Sequence, residues 1–235
     1  MQVGFKNIIK RTALWDSYQL FNFKRKIKAD GIKYDNSLLY HEHNLEVLFI
    51  HIPKAAGMSI VDSLYNMNKS HHASALDYLK EDKEKFNAAF SFAITRDPYT
   101  RLYSAYSYLK TGGMNIVDRA WWDLYLRKYK NFEQFITQGG LEYAIKKRAE
   151  HFIPQHKFIY DEQEKLLCDY VGKIENILDV EQFISEKLHK PVHFTKKNVV
   201  NESVLPLTGL YTAEMISIVN RCYAKDFTLL GYEVK

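Results

Sequence analysis

Lys54 sits in a stretch, Leu48 to Ile60, whose residue types suit the grip of an anionic group. Val47, Leu48, Phe49 and Ile50 form a short apolar run of the kind presented by a strand buried on both faces. Pro53 ends that run, because proline removes a ladder donor and fixes φ. Gly57 permits a positive φ or the close approach of a ligand. Ser59 suits the start or first turn of a helix, which Ile60, Val61 and Leu64 continue at helical spacing. Strand, tight loop and helix N-terminus in that order make an anion site, since amides without helical acceptors and the positive end of the dipole converge there. Lys54 adds a full positive charge inside the loop.

The arrangement recurs further along. Phe90-Ser-Phe-Ala-Ile-Thr95 reads as a second buried strand, followed at once by Arg96, Asp97 and Pro98. Asp97 is a good N-cap, and Pro98 fits the first helical position. Ser104 lies eight residues beyond Arg96, about two helical turns along. Two strand ends that each carry a cation suit a nucleotide with two separated anionic groups. The first loop is not a Walker A loop, in which Lys follows the last Gly and precedes Ser or Thr; here Lys54 precedes Gly57. No G-x-G-x-x-G is present, which argues against NAD or FAD.

These junctions require an α/β fold, with a central parallel sheet flanked by helices. The chain, at 235 residues, can hold one large domain with a substantial core. Hydrophobic residues at 46% and charged residues at 26% are ordinary for a globular protein. The net charge of +5 suits an anionic ligand but is too modest to argue for nucleic acid. Cys168 and Cys222 are far apart without metal spacing, and a reducing compartment is the simpler reading. No signal peptide or membrane span is legible, and no ligand cluster calls for a metal.

Residues 1–45 read as a basic, helical N-terminal extension and residues 46–235 as the domain. Lys24, Arg25, Lys26 and Lys28 most simply form a solvated helix face, with contact to a membrane surface or polyanion as the alternative. A charged helix is expected from Ala75 to Phe86, mostly helical chain over 114–150, and a third strand over Asp169–Glu175. Helices are expected again over Leu178–Leu188 and Thr212–Tyr223, with a polar loop from Thr195 to Pro206. No repeat, and no linker that would divide the chain, is visible.

His51-Ile-Pro-Lys-Ala-Ala-Gly-Met-Ser59 resembles the 5′-phosphosulfate loop of sulfotransferases that use 3′-phosphoadenosine 5′-phosphosulfate (PAPS), in the branch containing carbohydrate sulfotransferases. Arg96-Asp-Pro-Tyr-Thr-Arg-Leu-Tyr-Ser-Ala-Tyr106 resembles that family's 3′-phosphate motif. His151-Phe-Ile-Pro-Gln155, Val171-Gly-Lys-Ile-Glu175 and Asp226-Phe-Thr-Leu-Leu-Gly-Tyr232 resemble further family segments in the same order, so the similarity spans roughly residues 45 to 233. The resemblance implies a P-loop-NTPase-like sulfotransferase fold, PAPS as cosubstrate, adenosine 3′,5′-bisphosphate (PAP) as product, and no metal.

By the same resemblance, Lys54 binds the bridging and 5′-phosphate oxygens, and the amides of Ala55, Ala56, Gly57, Met58 and Ser59 cradle that phosphate. The Ser59 hydroxyl is an added donor or only a helix cap. Arg96 and Ser104 grip the 3′-phosphate, while Arg101 reads as a structural ion-pair partner on the helix rather than a cofactor ligand. Lys197, Asn201 and Ser203 are candidates for a lid over the nucleotide. An acceptor hydroxyl needs a nearby proton acceptor. His72 is the first candidate, with His71 able to replace it; His151 and Glu175 follow. The expected acceptor is a carbohydrate or glycoconjugate, with Lys146, Lys147 and Arg148 either favouring an acidic sugar or simply solvated. A cytoplasmic, bacterial-type enzyme is expected, a trimmed luminal catalytic domain being the alternative. The rival classes are a small-molecule kinase and a nucleotide- or glycan-binding protein that lacks catalysis.

Overall fold

The computed structural model describes residues 13–30, 46–67, 70–194 and 209–235. They fall into two compact units, one formed by residues 13–30 and Ala105–Phe152 and the other by residues 46–104 and Ile153–Lys235. No linker marks the division, because one boundary falls inside a continuous helix, Pro98–Lys110.

The larger unit holds a three-stranded parallel sheet, β1 (Val47–Ile50), β2 (Phe90–Thr95) and β3 (Tyr170–Lys173), in the order β1-β2-β3. Val47 pairs with Phe90 and Ile50 with Ala93, while Phe92 pairs with Tyr170 and Thr95 with Lys173. β1 therefore stops at Ile50 while β2 runs on to Thr95. Alternation sends Leu48, Ile50 and Ala93 into one core, with Ala75, Tyr78, Phe86, Ile159 and Leu230. It sends Val47, Phe49, Phe92 and Ile94 into the other, with Ile60, Val61, Val180 and Ile184. Both faces are covered, which is why the strands read as unbroken apolar runs. Phe49 and Phe92 are essentially fully buried, each contributing about 1.5–3 kcal/mol relative to exposure.

The helices between β1 and β2 are α1 (Gly57–Tyr65), α2 (Ala75–Glu81) and α3 (Lys83–Ala88). The single helix expected from Ala75 to Phe86 is thus two. Asp82 breaks it by taking an extended backbone, φ −151°, and accepting the Lys85 N–H at 3.0 Å, so that it caps the second helix. A capping box between Ser74 and Asp77 starts the first. Helix α4 (Pro98–Lys110) follows β2. After β3 come α5 (Ile177–Lys187), α6 (Ala213–Cys222) and α7 (Ala224–Leu230), with Thr212 capping α6. A short helical turn, His156–Ile159, precedes β3 in the chain.

The smaller unit is helical. A helix over Ala13–Asp30 is tied to a π-helical turn, Trp122–Leu126, by an ion pair of Lys24 Nζ with Asp123 Oδ2 at 2.5 Å. Lys24 is thereby engaged, whereas Arg25 and Lys26 are exposed as a solvated face requires. Tyr106 packs against Trp122, Phe132 and Phe135, so the aromatics of this region form core. Among the described residues no helix is long and apolar enough to cross a membrane. Both cysteines are free thiols, and burial pushes the Cys168 thiol well above its ordinary value.

Candidate active site

The chain leaves β1 through buried His51, Ile52 and Pro53. It then takes a positive φ at Lys54 (69°) and again at Ala56 (62°), but not at Ala55 or Gly57. Left-handed φ at a non-glycine residue costs about 1–3 kcal/mol and persists where the surrounding structure imposes it. Alternating the sign of φ turns successive amides toward one side, the concavity that holds anions. Helix α1 begins directly behind Ala56 with no side-chain cap. Ser59, read from sequence as a cap or first-turn residue, is the third helical residue, so the cap role is lost and only the first-turn role stands. The N–H of Ala55 donates to Ile52 O at 3.4 Å and that of Ser59 to Ala56 O at 3.1 Å. Two of the five amides expected to form the cradle, those of Ala55 and Ser59, are thus engaged by loop carbonyls.

Gly57 has a different reason from the one expected. Its φ is not positive, and the group that approaches it is a side chain of the protein. A Cβ at Gly57 would lie 1.9 Å from Cδ2 and Nε2 of His51. His51 in turn makes a 2.9 Å hydrogen bond through Nδ1 to Ser70 Oγ, and its ring meets that of His72 edge-to-face at 4.6 Å.

At the second junction, Asp97 caps α4 by accepting the Thr100 N–H at 2.9 Å. Gln155 closes on the backbone of Arg96 from both sides: its Oε1 accepts the Arg96 N–H at 2.9 Å, and its Nε2 donates to Arg96 O at 2.7 Å. The Arg96 side chain donates from Nε to Thr100 Oγ1 at 3.2 Å and from Nη1 to Lys54 O at 3.4 Å. The two junctions therefore meet. Arg101, almost wholly buried, donates from Nε to Pro53 O at 2.9 Å and so holds a carbonyl of the first loop, a contact different from the ion pair on the helix expected of it. Burial pulls its guanidinium below the ordinary value, and the nearby charge of Arg96 adds to this, while Tyr223 and Asp226 act in the opposite sense. Ser104 lies buried on the same helix.

Compared with protein families, the chain matches the Sulfotransferase family over residues 37–233. The chain belongs to the sulfotransferase family. No curated protein and no solved structure gives a significant match. In this sulfotransferase the parallel sheet and both cation-bearing junctions lie inside the matched span.

The remaining candidates separate cleanly. His72 is half-buried and joined to the first loop through His51. Glu175 is committed to structure: Oε1 accepts the Asp97 N–H at 2.7 Å, and Oε2 accepts the Tyr232 hydroxyl at 3.2 Å. Burial and the Glu175 charge push the Tyr232 hydroxyl well above its ordinary value. His151 belongs to the smaller unit, buried with Nε2 3.8 Å from Asp118 Oδ1 and Nδ1 3.9 Å from Glu150 Oε1. These three groups lie close enough together to hold a cation. Their nearest approaches use opposite ring nitrogens, however, whereas a metal takes one nitrogen of a ring. Asp118 also accepts the Tyr108 hydroxyl and the Met114 N–H through Oδ2. Lys197, Asn201 and Ser203 lie outside the described residues.

Sequence reasoning missed Asp226. It is fully buried and accepts from the Gln155 N–H at 2.7 Å, the His156 N–H at 2.9 Å and His156 Nδ1 at 2.7 Å. Asp226 fixes Gln155, and Gln155 fixes Arg96. The signal available was the aspartate that opens Asp226–Tyr232, a segment noted only for its family likeness.

Proposed function

We propose that this sulfotransferase transfers a sulfuryl group from PAPS to a hydroxyl of a carbohydrate or glycoconjugate and releases PAP. The observation that carries the reading is the meeting of the two junctions, with the Arg96 guanidinium on the carbonyl of Lys54. One nucleotide with a phosphate at each end would span them. The amides of Ala56, Gly57 and Met58 hold its 5′-phosphate, and Arg96 and Ser104 its 3′-phosphate. An arginine fork suits the fixed anion, and the Lys54 ammonium suits a phosphate whose charge grows during reaction.

His72 takes the proton of the acceptor hydroxyl. The acceptor oxygen attacks sulfur in line; the new S–O bond forms as the bond from sulfur to the bridging oxygen breaks, and its electron pair leaves on the 5′-phosphate of PAP. Lys54 offsets that charge. His72 is favoured because its ring meets that of His51, which lies against Gly57 of the phosphosulfate loop. The carbohydrate acceptor rests on the likeness of the first loop to the carbohydrate branch. Lys197 and Ser203 are assigned to a lid on the same basis.

Titration with PAP before and after Lys54→Ala and Arg96→Ala, together with transfer of radiolabelled sulfate from PAPS to a panel of glycans, tests this. Wild type should bind PAP and both variants should weaken it. Equal, negligible affinity in all three proteins would remove the reading, and magnesium-dependent ATP turnover would replace it with a kinase.

A further inference from the structure

We propose that His51 is a positioning residue that holds the base His72 in register with the phosphosulfate loop. The proposal rests on the reading of His72 as base given above. His51 is the first residue after β1 and is 5% exposed. One edge of its ring lies against Gly57, the first residue of α1, so closely that no Cβ fits between them. Its Nδ1 meets Ser70 Oγ at 2.9 Å. The Ser70 hydroxyl donates to His71 O at 3.3 Å, which leaves its oxygen to accept from the Nδ1–H tautomer of His51, the tautomer this proposal assigns. The ring of His72 then packs edge-to-face on His51, with centroids 4.6 Å apart and planes at 75°. Phe49 stacks on His51 at 5.8 Å, which fixes the ring from the strand side.

One imidazole thus touches the phosphate loop, holds the Ser70 hydroxyl two residues ahead of the base, and abuts the base ring. An apolar side chain of similar size would fill the space but could not hold Ser70. A small displacement of a reacting group costs rate far more than it costs binding. The donor side of His51 is therefore a determinant of turnover, and Gly57 is the residue that makes room for it.

The test compares His51→Phe, His51→Asn, Ser70→Ala and His72→Ala in the full chain, by kcat, KM for PAPS, and PAP affinity. His51→Phe keeps a flat aromatic ring, slightly larger, and loses the donor; His51→Asn places an amide N–H near the position of Nδ1. We expect His51→Phe and Ser70→Ala to lower kcat about 10–100-fold, with PAP affinity and KM for PAPS held within about twofold, and His51→Asn to recover most of the loss. A His51→Phe enzyme with kcat within about twofold of wild type overturns the proposal. So does a parallel loss of PAP affinity, which would make His51 a support of the phosphate loop alone. If His72→Ala retains wild-type turnover, the base reading fails and takes the proposal with it. PAP affinity reports on the nucleotide site separately, so failure of that site is distinguishable from failure of His51. Should His51→Phe not fold, Ser70→Ala carries the same decision.

Discussion

After β2, Asp97 caps the helix that follows it, and Gln155 closes on both backbone groups of Arg96. After β1, helix α1 begins behind a left-handed Ala56 without a side-chain cap. Its loop is supported from outside: Arg101 on the carbonyl of Pro53, Arg96 on that of Lys54, and the ring of His51 against Gly57. A junction whose amides are taken up by side chains serves as scaffold. One whose shape is imposed by neighbours, with helical amides left without acceptors, is fitted for a ligand to complete. The contrast supports the proposed reading, in which the first junction takes the 5′-phosphosulfate and the second anchors the first.

The contrast can be broken most directly at Asp226, which stands behind the second junction. Asp226→Ala strands the Gln155 and His156 amides beside a buried Arg101, and should cost about 3–5 kcal/mol in denaturant-monitored stability. A loss under about 1 kcal/mol would mean that the anchor lies elsewhere. Next in size, Lys54→Ala should lower turnover by about 10²–10³-fold while leaving the urea midpoint unchanged. Unfolding of that variant would make Lys54 part of the scaffold and dissolve the distinction. Gly57→Ala forces a Cβ into the His51 ring and should destabilise by about 1–3 kcal/mol, a cost that His51→Ala in the same chain should largely relieve. Lack of relief would show that the glycine answers to something other than His51. Smallest, Asp97→Ala removes one cap and should cost about 1 kcal/mol, with PAP affinity nearly unchanged.

The three strands were legible because each is a short apolar run bounded by polar or helix-breaking residues, and both cation-bearing junctions followed from them. What a local pattern encodes was readable; what depends on a distant partner was not. Asp82 looks like one more charged residue on a wet helix face until its carboxylate competes for the Lys85 amide. Gly57 reads as backbone freedom, but its cause is a ring six residues earlier that only the folded loop brings back. Asp226 and Gln155 are 71 residues apart, and nothing in either segment announces their hydrogen bond. His151 reads as a second base, and nothing local shows that folding sets it between two carboxylates of its own, smaller unit.

The early stop of β1 bears on how such a chain can change over generations. Ile50 pairs with Ala93, and β2 continues for two more residues beside β3 alone. Lys54 is thus placed by counting from the last ladder pair. Inserting one residue between Ile50 and Pro53 would carry the lysine about 3.3 Å onward and reverse the side to which each following side chain points. Substitutions along this stretch lose single contacts, whereas a one-residue gain or loss displaces Lys54, His51 and Gly57 from one another together. Loop length is accordingly the property that drift can least alter.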